Sequence, residues 1–159
     1  TLFRSNEQQA AGIKQILQLF GISGDTANEN FQKEIGHTRV SFWDCPLNRD
    51  YVKRLRSDNL PLTEAKSENR INRIAGTADP RQTERVPAGA RFDFKLTIKE
   101  FDGDDKALFD TLLQGLKLLE WDSLGGSGSR GYGKVAFTAI TRNGKDISSC
   151  FAAIQPFAK

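Results

Sequence analysis

The chain has 159 residues, a length that suits one domain and allows a buried core without staples. Its 23 Lys and Arg against 20 Asp and Glu leave a net charge of +3, too mild to name a partner, and 38% apolar with 27% charged residues is neither a disordered nor a membrane-spanning composition. No apolar run approaches the roughly 20 residues a bilayer needs, and two cysteines with one histidine supply neither a four-ligand zinc site nor a disulfide framework. The composition therefore predicts a globular protein of a reducing, cytoplasmic setting. Methionine is absent and the first residues carry no targeting signal, so the chain is expected to be a fragment or to have closed-up gaps.

From Asn6 to Phe20, Ala10, Ile13, Ile16, Leu17 and Phe20 recur at helical spacing, with Gly21 and Gly24 as stops. Gly24 to Gly36 is polar and poorly patterned. A period of two then sets Thr38, Val40 and Phe42 against Arg39, Ser41 and Trp43, which predicts a strand ended by Asp44 to Pro46. His37, at its start, is read as structural.

The stretch from about Asn48 to Ala90 lacks a sustained hydrophobic period and is studded with Arg49, Lys53, Arg54, Arg56, Lys66, Arg70, Arg73, Arg81 and Arg85. A long unpatterned segment inside a compact domain is a functional protrusion or a linker. The arginines, the short alternation at Ile71 to Ile74 and the turn signal at Asp79-Pro80 favour a protruding hairpin.

Pattern returns at Arg91 to Phe101, where Phe92, Phe94, Leu96 and Ile98 alternate with Asp93, Lys95, Thr97 and Lys99 to predict a strand. After the turn at Phe101 to Asp105, Leu108, Leu112, Leu116 and Leu119, with Phe109 and Leu113 beside them, predict a core helix to about Trp121. A glycine-rich run and a strand through Val135, Phe137 and Ala139 follow, and the tail beyond Arg142 is unassigned. Alternating strands with interposed helices imply an α+β fold, an antiparallel sheet with helices on one face.

The run from Gly125 to Gly133 contains two nucleotide-site spacings out of context. Gly126, Gly128 and Gly131 spell GxGxxG, but a helix precedes and a strand follows, the reverse of a dinucleotide site. Gly128, Gly133 and Lys134 spell GxxxxGK, but Val135 stands where a magnesium-binding hydroxyl belongs. No nucleotide cofactor is implied. The glycines remove β-carbons that keep a ligand from the backbone, so Gly125, Gly126, Ser127, Gly128 and Ser129 offer amides to phosphate. Arg130 and Lys134 add charge and Tyr132 a stacking face. The alternative is a tight helix-to-strand connection, and residue types alone leave both open.

Thr63 to Arg85 (TEAKSENRINRIAGTADPRQTER) and Gly115 to Phe137 (GLKLLEWDSLGGSGSRGYGKVAF) together closely resemble the multi-copy backbone subunit of type III-A CRISPR effectors, the Csm complex, within the RAMP superfamily. LFGISGD at Leu19 to Asp25 and the strand at Thr38 to Trp43 fit the same order, so the resemblance covers about three quarters of the chain. It implies one RAMP domain over residues 1–159: a ferredoxin-like, RRM-type palm at 1–47 and 91–159 with an Arg-rich β-hairpin thumb inserted at about 48–90.

Family members bind guide RNA along a filament of copies, with other effector subunits, and cleave complementary target RNA at regular intervals. The resemblance implies such an endoribonuclease, using a divalent metal, expected to be magnesium; the alternative is a non-cleaving guide-RNA module of a larger fused effector. The phosphate contacts implied are Lys66, Arg70, Arg73, Arg81 and Arg85 with Asn69, Asn72 and Gln82 beside them, joined by the glycine run. Ile71, Ile74 and Pro80 are the implied wedge between displaced bases. The family's catalytic aspartate lies in a loop that matches no position of this chain and is expected upstream of it. Glu64, Glu68 and Glu84 are the nearest carboxylates, set to assist a metal or a 2′-hydroxyl, or to act as charge partners of the arginines.

Overall fold

A computed structural model describes residues 6–23, 29–105 and 107–157. The elements are α1 (Asn6–Phe20), α2 (Glu29–Ile35), β1 (Val40–Phe42), α3 (Arg49–Ser57), β2 (Glu64–Asn72), β3 (Thr77–Arg85), β4 (Leu96–Ile98), α4 (Leu108–Trp121), a 3-10 turn at Gly128–Arg130, β5 (Thr141–Arg142), β6 (Lys145–Asp146) and α5 (Ser148–Ala152). The strands form small sheets of two, β1 with β4, β2 with β3 and β5 with β6. The architecture is a mixture of helices and small antiparallel sheets, and the chain divides into two units, Thr1–Ser41 with Thr97–Lys159, and Phe42–Leu96.

The first unit is built around α4, whose Leu108, Leu112 and Leu113 are buried with Leu19, Ile35, Val40 and Phe151. Leucines at i, i+4 and i+5 put one apolar stripe on a helix, and here that stripe is the core, as the pattern predicts. α1 packs on α4, where the Thr111 hydroxyl donates to Gln15 Oε1 (2.7 Å), and on α2, where Lys14 pairs with Glu34 (2.9 Å). The α1 face that faces inward corrects the periodicity. Leu19 is buried, while Ile13, Ile16 and Phe20 lie at least half exposed. Gly21 closes α1 at φ 86°, its N–H donating to the Leu17 carbonyl (2.8 Å), and a β-carbon there would meet Thr38 Oγ1 at 2.7 Å. Gly24, the second expected stop, and Asp25 lie outside the described residues.

A buried ion pair anchors the same unit. Arg39 donates from Nε (3.0 Å) and Nη2 (2.7 Å) to the two carboxylate oxygens of Asp104, and from Nη1 to the His37 carbonyl, with its guanidinium 4.7 Å from the centre of the Phe101 ring. The forked, planar guanidinium matches a carboxylate with two parallel bonds, which a lysine cannot do. Hydrogen bonding from Arg39 holds the Asp104 carboxyl below its ordinary value. His37 is exposed and lies beside Phe101, with ring centres 6.4 Å apart.

In the second unit, Asn48 caps α3, its Oδ1 accepting from the amides of Asp50 and Tyr51 (both 3.2 Å). Tyr51 and Leu55, one turn apart, are its buried residues, and Asp50 in the first turn with Arg54 and Arg56 in the last suit the helix dipole. This helix corrects the reading of the whole 48–90 stretch as unpatterned. Residues 43–48 run beside 91–95 through bonds from Trp43 N to Lys95 O (3.1 Å), Asp93 N to Pro46 O (2.9 Å) and Asn48 N to Arg91 O (2.8 Å), with an antiparallel bridge at Leu47 and Phe92. Pro46 has no amide to give a ladder, so this ribbon is interrupted where a longer strand was expected.

The strand expected at Val135 to Ala139 is likewise not formed among the described residues. The Phe137 amide donates to Glu120 Oε1 (2.7 Å) instead of a neighbouring strand, and Ala139 turns to φ 52°, outside the strand region. In the tail, Asn143 and Gly144 at φ 50° and 80° turn the β5–β6 hairpin, the sign of a type I′ turn.

Candidate nucleic-acid interface

The hairpin of β2 and β3 lies wholly in the second unit, paired from Glu64 opposite Arg85 to Asn72 opposite Thr77. Residues directly opposite in an antiparallel pair share a face, and successive residues alternate. The register therefore sorts the candidate residues. One face carries Glu64, Lys66, Glu68, Arg70 and Asn72 with Arg85, Thr83, Arg81, Asp79 and Thr77. The other carries Ala65, Ser67, Asn69 and Ile71 with Glu84, Gln82, Pro80 and Ala78, and is neutral apart from Glu84.

On the charged face the cations have acid neighbours. Arg85 Nε donates to Glu64, Lys66 pairs with Glu68 (3.2 Å), Arg81 with Asp79 (3.5 Å), and Arg70 stands opposite Asp79. Such pairs at a wet surface contribute about 0–1 kcal/mol each, so they orient the side chains more than they stabilise the hairpin. Glu84, on the opposite face, accepts from the Thr63 hydroxyl (2.5 Å). The three candidate carboxylates do not converge, and among the described residues no group of three His, Cys, Asp or Glu is arranged to hold a metal.

At the tip, Asn72 Oδ1 accepts from the amides of Ile74 (3.0 Å) and Ala75 (3.2 Å), and Gly76 at φ 65° donates to the Asn72 carbonyl (2.8 Å). This turn holds Ile74 fully exposed and leaves Arg73 on the tip. Ile71 is two-thirds exposed on the neutral face opposite Ala78, and Pro80 lies on the same face opposite Asn69. Of the three expected wedge residues, Ile71 and Pro80 thus share a face and Ile74 belongs to the turn.

The glycine run belongs to the first unit and forms a closed loop. The Leu124 amide donates to the Gly133 carbonyl (2.8 Å), and a β-carbon on Gly133, at φ 72°, would fall 2.1 Å from the Leu124 carbonyl oxygen. Only glycine permits that approach. Ser127 is left-handed at φ 61°, and the following 3-10 turn uses the amides of Arg130 (2.9 Å to Ser127 O) and Gly131 (2.9 Å to Gly128 O). No described residue accepts from the amides of Gly125, Gly126, Ser127, Gly128 or Ser129. Gly128 is packed: its β-carbon would meet Ser123 Oγ at 2.1 Å. Lys134 is tied inward, its ammonium donating to the carbonyls of Trp121 (3.1 Å) and Asp122 (2.6 Å).

Sequence reasoning missed several side-chain contacts. Lys95 lies 4.4 Å from the centre of the exposed Trp43 ring, and Phe42 stacks obliquely with Phe94 at 6.3 Å. The period-two alternation of both segments carried that signal. The Arg39–Asp104 pair had none, because its partners are distant in sequence.

The RAMP superfamily profile matches residues 5–136, most of the chain and the whole of both candidate sites. The chain belongs to the RAMP superfamily. Among curated proteins of that kind it is 53% identical over 127 residues to a CRISPR system Cms endoribonuclease Csm3 of Streptococcus thermophilus, covering 77% of this chain and 54% of that protein. It is 52% identical over 77 residues to the protein of the same name from Methanothermobacter thermautotrophicus (48% of this chain, 31% of the relative). With that of Mycobacterium tuberculosis it shares 36% over 155 residues (88% and 60%). This RAMP chain thus spans about a third to three fifths of the curated relatives it matches. Among its described residues, no helix is long and apolar enough to cross a membrane.

Proposed function

We propose that this chain is the RNA-gripping portion of a Csm3-like backbone subunit, which holds guide RNA and takes part in cleavage of paired target RNA within a type III-A effector. The observation that carries the reading is the hairpin's division into a face that gathers Lys66, Arg70, Arg81 and Arg85 with their acid neighbours and a largely neutral face with exposed Ile71 and Pro80, joined by a turn that exposes Ile74. In that reading it is the thumb inserted into a ferredoxin-like palm of which residues 1–47 and 91–159 are part. Phosphates meet Lys66, Arg70, Arg73, Arg81 and Arg85. The apolar end enters the stack between bases, with Asn69, Asn72 and Gln82 bonding alongside.

The glycine loop serves a different contact. The amides of Gly125 to Ser129, from which no described residue accepts, suit phosphate oxygens, with Arg130 adding charge and Tyr132 a ring. Neither region offers base-edge recognition, which agrees with sequence being read by guide pairing and the protein reading backbone and shape. Further copies of the chain and other subunits complete the assembly.

In this reading a divalent metal, expected to be magnesium, would supply Lewis-acid stabilisation for target cleavage. The described residues do not fit a metal site: Glu64 and Glu68 are engaged with cations, and Glu84 points from the other face. Glu64 and Glu68 are assigned as charge partners of Arg85 and Lys66, Glu84 as the acceptor of the Thr63 hydroxyl, and no described residue is assigned the cleavage step.

Charge reversal of Arg81 and Arg85 together tests the hairpin's part. Affinity for single-stranded RNA should fall at least about tenfold, and the slope of log affinity against log salt should shrink by about 1.4, or 0.7 for each phosphate no longer neutralised. The unfolding midpoint should stay within error. Unchanged binding removes the hairpin from the RNA-binding surface, and a wild-type affinity indifferent to salt removes RNA altogether.

A further inference from the structure

We propose that Lys134 is a positioning residue that locks the glycine loop in shape, with its charge spent on the end of α4 and not on RNA phosphate. The proposal rests on the RNA-binding reading for what the loop is for, but its geometry is independent of it. Helix ends leave carbonyls unsatisfied and partially negative, and a cation at the last turn normally answers them. The last turn of α4 contains no basic residue. Asp122 N–H reaches back to the Leu118 carbonyl, and the carbonyls of Trp121 and Asp122 receive the Lys134 ammonium at 3.1 and 2.6 Å.

Lys134 stands immediately after Gly133, whose carbonyl accepts the Leu124 amide. The side chain therefore ties the loop's exit to its entry across the helix end. Phe137 N–H on Glu120 Oε1 (2.7 Å) adds a second tie between the same two segments. The backbone ring thus closed includes the five amides from which no described residue accepts. Two of the three ammonium protons already have carbonyl acceptors, so a single proton is left for any phosphate, and pulling the ammonium toward RNA would cost the closure.

The test uses the whole chain, comparing wild type with K134M, K134R and R130A in two measurements. In amide hydrogen exchange without RNA, K134M should speed exchange at Leu124, Arg130 and Gly131 about five- to tenfold, as expected for loss of a charge-assisted bond near water, and leave the β2–β3 hairpin unchanged. K134R should restore the wild-type rates. In binding of a mixed-sequence single-stranded RNA across a salt series, K134M should weaken affinity at an unchanged salt slope, whereas R130A should reduce the slope by about 0.7.

K134M exchange equal to wild type, or a K134M slope reduced like that of R130A, overturns the proposal. Should wild type show no salt-dependent binding, the RNA reading falls while the exchange result still decides the role of Lys134. If K134M does not fold, K134Q, which keeps a neutral donor, goes through the same exchange measurement. A smaller acceleration is then expected, and none overturns the proposal.

Discussion

The hairpin Glu64–Arg85 and the loop Gly125–Gly133 present polar groups to solvent by opposite means. In the hairpin, side chains do the presenting: strand register deals cations to one face and neutral residues to the other, and the backbone is occupied by its own ladder. In the loop the backbone does it, because side chains are largely removed and closure is enforced by a helix end, a lysine and one glycine that cannot be replaced. Substitution in the hairpin should therefore alter charge while sparing shape, and substitution in the loop should alter shape first.

Ion pairs give the sharpest contrast. Arg39 and Asp104 have side chains only 8% and 11% exposed, whereas Arg85 and Glu64 are 36% and 40% exposed. Removing one partner of a buried pair strands the other charge in the interior, so D104A should lower unfolding free energy by about 3–5 kcal/mol in chemical denaturation. Acid should act on the same group. Asp104 is held below the ordinary carboxylate value by Arg39, so its contribution is complete above the unfolded pKa and fades as pH falls through the lower folded one. Wild type should show a larger acid loss than D104A, which keeps the contributions of Asp105 and Asp146, also held low by hydrogen bonds; equal acid limbs in the two proteins would break the assignment.

Glycines give the next contrast. G133A sets a methyl against a backbone oxygen at a left-handed position and should cost about 3 kcal/mol. Gly76, at the hairpin tip, is also left-handed, but its β-carbon would meet nothing within 4 Å. G76A should cost only about 1 kcal/mol, the intrinsic penalty of the conformation. Thermal unfolding of the two variants side by side checks the ratio; similar costs would mean the loop is looser than its packing implies.

The smallest effect belongs to E64Q, which should change stability by less than about 1 kcal/mol. With Arg85 relieved of its acid, RNA affinity should rise modestly at low salt and the gain should vanish at high salt. A fall in affinity would make Glu64 a contact residue in its own right.

Much of this was legible where a local pattern had one physical solution. The leucine stripe of α4 could only be a buried face, and the arginines with the alternation at Ile71 to Ile74 favoured a hairpin, but its turn lies at residues 73–76, and Asp79-Pro80, read as the turn signal, is paired within β3 opposite Arg70 and Asn69. Other local signals were present but weak. Asn48 before Tyr51 and Leu55 is a short capped helix in retrospect, yet two apolar residues in a run of cations do not outweigh the charge. Asn143-Gly144 is a strong turn sign in a tail with little other pattern. The inward face of α1 is misjudged from spacing because Ile13, Ile16 and Phe20 recur as regularly as a buried stripe does. Which side of an amphipathic helix packs is decided by the surface it meets.

The amino-acid sequence by itself determined the helices α1 and α4, the presence of the β2–β3 hairpin, and membership in the RAMP superfamily. These depend on residue type and spacing within a few turns of chain. Only the tertiary structure decided that Arg39 finds Asp104, that Glu64, Glu68 and Glu84 are divided between two faces and matched to neighbours, and that Lys134 turns back to the end of α4. Each of these is a choice among partners that are chemically equivalent in the sequence. Burial and chain closure, which are properties of the folded whole, select one of them.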